Sequence, residues 1–240
     1  YGYNRQYRCG LVIFAYNSGD QIVVQTRVVN HFGEELKAHT RSCPEFGEEH
    51  VFAAIEECRA AFPQIRQLLF GLPGIERHGV VTSGDFAAFI DTAFIGMLRE
   101  RYRLDVAFIN DINAAVYGHN RSSENPYENE VGIFLPTRFP PGAGLILRNQ
   151  LYPGDAGFAG EIAFLFGKIP WEELHRYNGE EIAGQLYPIL LSVICILNPG
   201  FIALYGEYLT GSILERMQNE LFNVLPPEAV PEIRLLHTFE

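Results

Sequence analysis

The chain of 240 residues sets 29 acidic side chains against 18 lysines and arginines, a net charge of −11 that repels a phosphate backbone and excludes DNA as a direct partner of this segment. Hydrophobic residues make up 48% and charged residues 20%, ordinary globular usage that excludes disordered and fibrous designs. The length exceeds that of a typical single core and fits two lobes, so a cleft is expected between them.

The chain opens without Met on the polar stretch YGYNRQYR, which reads as the start of a piece of something longer and carries nothing of a signal peptide. CGLVIFAYNSGDQIVVQTRVV predicts two strands joined by a polar turn at Asn17 to Asp20. HFGEEL leads into a charged loop, and EEHVFAAIEECRAAF repeats its apolar positions at helical spacing until Pro63 ends the helix. RQLLFGLPG reads as a strand closing in a Gly-Leu-Pro-Gly turn, DTAFIGMLRERYRL as a helix, and VAFIND as a buried strand that turns helical at NAAVYG.

After the polar connection NRSSENPYENE, the stretch VGIFLPTRFPPGAGLILRNQLYPG again predicts strand, turn and strand. GEEIAGQLYPILLSVICIL reads as a long apolar helix, whose YPILLSVICIL run falls short of the ~20 residues a bilayer requires. FIALYGEY, TGSILERMQNELFNVL and EIRLLHTF follow as strand, helix and strand. Both halves thus run hairpin, helix, strand, helix, strand, an α/β pattern with an internal duplication and expected lobes at 1–118 and 119–240. Cys9, Cys43, Cys58 and Cys195 show no CxC or CxxC spacing, so they are expected as buried free thiols in a reducing, cytoplasmic compartment.

NDINAAVYG together with GAGLILRNQLYPGDAGFAGEIAF resembles the ROK family (repressor, open reading frame, kinase). LLFGLPGI stands at that family's Gly-x-Pro-Gly turn and LNPGFIALYG at its "dPe-x-ivlGG" segment, so the resemblance covers nearly the whole chain. It implies an actin-like, ribonuclease-H-like, duplicated two-lobed ATPase fold of mixed sheets flanked by helices.

Asn110 and Asp111 stand where a buried strand gives way to a helix, the strand end at which ligands gather in such sheets. Read by itself, Asp111 is a cap for the helix beginning near Ile112. The resemblance makes Asn110 a sugar-hydroxyl partner and Asp111 the base that takes a proton from an attacking hydroxyl, and capping can coexist with either role. Glu161, in GFAGEIAF, is otherwise a solvated loop acid; it matches the family Glu that binds sugar hydroxyls, a task suited to two acceptor oxygens. Where the family continues Ile-Gly-His, this chain has Ile162, Ala163 and Phe164, and the family's CxCGxxGCxE segment is missing. One sugar contact fewer and no structural zinc are expected.

The resemblance also locates a nucleotide site, and there the sequence departs from the family. A family kinase has an Asp for magnesium at the end of its first strand, then Gly-Gly-Thr for the phosphates, because glycine lets backbone amides approach closely. Here the strand runs Phe14, Ala15, Tyr16, Asn17. The second phosphate loop reads Arg138, Phe139, Pro140, Pro141, Gly142, and each proline lacks an amide donor. The adenosine-side Gly-Gly has become Gly206-Glu207.

The resemblance is therefore to the kinase-inactive, sugar-sensing body of ROK transcriptional repressors, which carry a winged helix-turn-helix ahead of it. YGYNRQYRCGLVI looks like the juncture between the two parts. The ligand expected is a sugar or sugar phosphate, with no cofactor, no membrane, a homo-oligomeric state by family habit, and DNA contact only through a separate N-terminal domain. The alternatives are an active ROK sugar kinase using ATP and magnesium, and a degenerate scaffold that binds only protein.

Overall fold

Alternation along CGLVIFAYNS buries Leu11, Ile13 and Ala15, and this strand organises the first sheet. The computed structural model describes residues 7–18 and 20–236. The Tyr1 to Tyr7 juncture pattern and the His237 to Phe239 end of the final strand therefore fall largely outside the described residues.

In chain order the first unit holds β1 (Cys9–Ser18), β2 (Gln21–Asn30), β3 (Glu35–Cys43), α1 (Glu48–Ala61), β4 (Ile65–Leu72), β5 (Gly74–Arg77), β6 (Val80–Gly84), α2 (Phe94–Tyr102) and β7 (Asp105–Asn110). Its main sheet has the order β3-β2-β1-β4-β7, with the β1, β2 and β3 pairs antiparallel and β1, β4 and β7 parallel. The second unit holds α3 (Asp111–Ser122), β8 (Glu130–Phe134), β9 (Gly142–Leu147), β10 (Gln150–Leu151), α4 (Gly179–Leu197), β11 (Phe201–Tyr205), α5 (Gly211–Val224) and β12 (Glu232–Leu236). Its sheet has the order β10-β9-β8-β11-β12, again a hairpin side followed by parallel strands. The duplicated topology read from the sequence is present in both units.

The chain divides after Asp111, at the start of α3, whereas the sequence reading put the boundary at Gly118 within that helix. Packing explains the placement: Val116 of α3 lies directly on Gly132 of β8 and Gly144 of β9, positions where a Cβ would collide with it. The helix is thereby seated on the second sheet.

Two further expectations need correction. The charged loop after HFGEEL is β3, an edge strand whose side chains are mostly exposed, so it lacks the apolar alternation that marks a half-buried strand. NRSSENPYENE is not simply a polar connection: Asn120 lies in the last turn of α3 and Glu130 opens β8, and both side chains are buried.

The first core centres on Phe70, Phe89 and Phe94, all fully buried, with the Phe89 and Phe94 ring centroids 4.8 Å apart. Each such burial contributes about 1.5–3 kcal/mol before opposing costs. α1 adds Val51, Ala54, Ile55 and Cys58 at helical spacing.

α4 carries the second core on Ile182, Ala183, Leu186, Ile189, Leu190 and Ile194. Its start is fixed by a capping box: the Asn178 side-chain oxygen accepts from the Glu180 and Glu181 amides at 2.9 and 3.0 Å, and the Glu181 carboxylate accepts from the Asn178 amide at 3.2 Å. At 19 residues α4 is longer than the apolar run read from the sequence, and by length and composition alone it would pass for a membrane span. Its buried face and the glutamates of its first turn identify a core helix.

None of the four cysteines is in a disulfide; Cys9 and Cys58 are buried, which pushes the pKa of their thiols up, but Cys43 is partly accessible and Cys195 is exposed on α4.

Candidate functional site

In the first unit the parallel strands β1, β4 and β7 end on one edge, and the polar residues gather there. Asn110, the last residue of β7, lies opposite Leu72, and its side-chain amide donates to the Gly74 carbonyl at 3.2 Å. That bond ties it to the Leu72-Pro73-Gly74 turn noted in the sequence. Asp111 begins α3 and is itself the first helical residue, an acid where the helix dipole favours one.

Asp85 joins this edge, and the sequence reading missed it. It follows Gly84, which pairs with Gly74 so closely that a Cβ on Gly84 would stand 2.5 Å from the Pro73 carbonyl oxygen. Its carboxylate accepts from the Asn17 side-chain amide at 3.1 Å. Although the residue keeps an exposed rim, burial of the carboxyl raises its pKa, and the Asn17 hydrogen bond works against the rise. An acid within TSGDF carries no periodic signal, so only the β5 and β6 hairpin reveals its position.

Phe14 of β1 stands in register with Gly71 as the last pair of β1 with β4, and its ring covers that glycine so fully that a Cβ there would overlap it. Tyr16 adds a second ring with centroids 5.7 Å apart. Aromatic carbon therefore lines this part of β1.

In the second unit Glu161 lies in a tight turn held against β9. The Ala143 amide donates to the Gly160 carbonyl at 2.7 Å, and Gly160 adopts φ +96 at a place where a Cβ would overlap the Ala143 carbonyl oxygen. Only glycine meets both conditions. A 3-10 turn, Ile162–Leu165, follows and drives Ile162 into the core. Glu161 is partly buried, and desolvation alone raises its pKa above the ordinary 4.5.

The segment before β9 leaves Pro140 exposed and Pro141 buried, and Gly142 of β9 packs against Ile112, the residue that follows Asp111. Across β8 and β11, the Phe134 and Tyr205 rings stack with centroids 4.9 Å apart. Beyond them Gly206 is buried close to the Leu135 carbonyl, and the Glu207 carboxylate accepts from the Thr137 hydroxyl at 3.1 Å. Among the described residues no group of three or more His, Cys, Asp and Glu side chains is arranged to hold a metal ion.

The raised Glu161 pKa has a sign that can be tested. Its folded-state value lies above the unfolded one, so its stabilising contribution is fully present below pH 4.5 and is lost as pH rises through the raised value. Glu161→Gln is therefore expected to stabilise the chain at neutral pH, with the advantage shrinking on acidification toward pH 4.5. Urea midpoints of both proteins across that range provide the check; a pH-independent difference would contradict the desolvated carboxyl.

Comparison with known proteins gives consistent relationships. Residues 23–168 match the ROK family. Over 118 residues, 47% of this chain, the sequence is 29% identical to the xylose repressor of Caldicellulosiruptor bescii, and the match spans 29% of that repressor's length. The chain thus spans less than a third of the curated relative it matches. Among solved structures, the ROK hexokinase of Thermus thermophilus superposes with a TM-score of 0.72 at 18% identity, covering 95% of this chain and 92% of that one. A ROK family transcriptional regulator, described as a homolog of the E. coli MLC protein, superposes with a TM-score of 0.66 at 15% identity, covering 94% of this chain and 73% of that one. At such identities these structures speak for the fold.

Proposed function

The chain belongs to the ROK family and has its actin-like fold, and from that premise we propose that it is the sugar-sensing body of a cytoplasmic transcriptional regulator that does not phosphorylate its ligand. The observation that carries this reading is the Phe14 ring laid on Gly71 where the β1–β4 pairing ends, a place where an actin-like kinase needs backbone amides open to phosphate. Pro140 and Pro141 remove two amide donors from the second phosphate segment, and Glu207 adds negative charge beyond β11. The similarity to a xylose repressor favours a sensor, and xylose heads the ligands to be tried.

In this reading Asn110, Asp111 and Glu161 hold sugar hydroxyls, with both carboxylates acting as hydrogen-bond acceptors and neither moving a proton. No metal or nucleotide takes part. DNA contact in the longer protein belongs to sequence outside these residues, since the net charge of −11 opposes it here. A sugar kinase is the second reading, favoured by Asp111 at the head of α3, the position expected of a catalytic base.

A thermal-shift series on the full chain with D-xylose, D-glucose, their phosphate esters and Mg-ATP separates the two. A sugar or sugar phosphate is expected to raise Tm by mass action and Mg-ATP to leave it unchanged. Asp111→Asn exchanges an acceptor for a donor and is expected to weaken the sugar about ten- to a hundredfold, roughly 1–3 kcal/mol. Sugar-dependent ADP release at ordinary kinase rates would instead establish the kinase.

A further inference from the structure

Two phenylalanines on the second unit face solvent, outside its hydrophobic core. Phe158 is 52% exposed and Phe164 76% exposed, and their rings lie 5.5 Å apart between centroids with planes tilted by 42°. They bracket Glu161 within one turn: the Glu161 amide donates to the Phe158 carbonyl and the Phe164 amide to the Glu161 carbonyl, each at 3.4 Å. Ile162 supplies the inward apolar contact of this turn, so packing does not require an aromatic residue at either exposed position. Large exposed apolar side chains on the same short turn as a partly buried glutamate point to a ligand surface more than to a solvated loop.

The chemistry of the group narrows the ligand. A pyranose ring carries its hydroxyls around the rim and C–H bonds on its faces, so it can rest a face on an aromatic ring while a rim hydroxyl donates to a carboxylate. Resting on the sugar-sensing reading above, we propose that Phe158 and Phe164 form a stacking platform for the C–H face of a pyranose whose hydroxyl donates to Glu161. The two tilted rings make an angled floor, which selects sugars whose stacked face is uninterrupted by an axial hydroxyl and tolerates an apolar substituent at its edge. Phe158 and Phe164 are then specificity-determining residues, and Glu161 supplies the polar anchor.

The test is calorimetry on the full chain with methyl β-D-xylopyranoside, methyl β-D-glucopyranoside and N-acetyl-D-glucosamine. The Phe158→Ala/Phe164→Ala double variant and Glu161→Gln are titrated beside the wild type, with urea midpoints and light scattering on each. The double variant is expected to lose about tenfold in affinity for the saccharide that binds. Its urea midpoint should hold, because both rings are exposed. Unchanged affinity in the double variant, with weakening in Glu161→Gln, would overturn the platform and leave the sugar-sensing reading standing. Failure of the wild type to bind any of the saccharides would overturn both. If the wild type is a dimer that the double variant dissolves while affinity holds, the rings are an interface between copies and the platform fails.

Discussion

Gly160→Ala is expected to destabilise the chain by roughly 2–6 kcal/mol, a large share of the 5–15 kcal/mol typical of a folded domain. Two costs act together. A non-glycine residue at φ +96 is strained by about 1–3 kcal/mol, and the new Cβ would overlap the Ala143 carbonyl oxygen, so β9 or the turn must move at a further cost of about 1–3 kcal/mol. Because the Ala143 amide also holds the Gly160 carbonyl, relief by backbone movement would break that 2.7 Å bond and displace Glu161. Gly167→Ala is the control: nothing lies within 4 Å of its Cβ position, and a change within about 0.5 kcal/mol is expected there. Urea unfolding of the two variants compares them directly. Equal stabilities would mean that the turn does not follow the described path.

Glu130→Ala is the second large effect, with an expected loss of about 3–5 kcal/mol. Glu130 is only 1% exposed, yet its carboxylate meets His119 Nδ1 at 2.6 Å and accepts from the Asn120 side-chain amide at 2.8 Å. Asn120 also donates to the Tyr127 carbonyl at 3.0 Å, and Phe201 is stacked against the rings of both His119 and Tyr127. Truncation leaves one of the two N–H donors of the buried Asn120 amide without an acceptor and opens a hole at the start of β8. Glu130→Gln keeps the shape and one acceptor oxygen and should lose less, about 1–3 kcal/mol. A His119→Ala/Glu130→Ala double variant should lose less than the sum of the single changes, since the two groups share one contact. Additive losses in urea unfolding would show that His119 and Glu130 do not work as a pair.

The network around Glu130 marks a limit of sequence reading. Asn120 and Glu130 belong to a stretch so polar that it reads as a solvated connection, and nothing in its pattern distinguishes a buried acid from an exposed one. β3 escaped for the opposite reason: as an edge strand it buries little, so the side-chain alternation that identifies a strand never had to be written into it. α1, α4 and β1 were legible because each must hide one face, and a face recurs in the sequence at the period of the element. The helix end at Phe62 before Pro63 was local chemistry of the same kind.

Sequence by itself therefore determined the α/β class and the repeated order of hairpin, helix, strand, helix and strand. Those features depend on periodicity and on neighbours a few positions apart. Tertiary structure alone decided that Asp85 joins Asn17 and Asn110 at one sheet edge, that α3 belongs with the second sheet through Val116, and that the ring of Phe14 settles on Gly71. It also decided that Phe158 and Phe164 turn outward beside Glu161 while Ile162 turns in. The physical reason is that hydrogen bonds and van der Waals contacts between residues distant in the chain depend on where the backbone brings them, and that path is set by the sum of packing over each core and not by any local pattern.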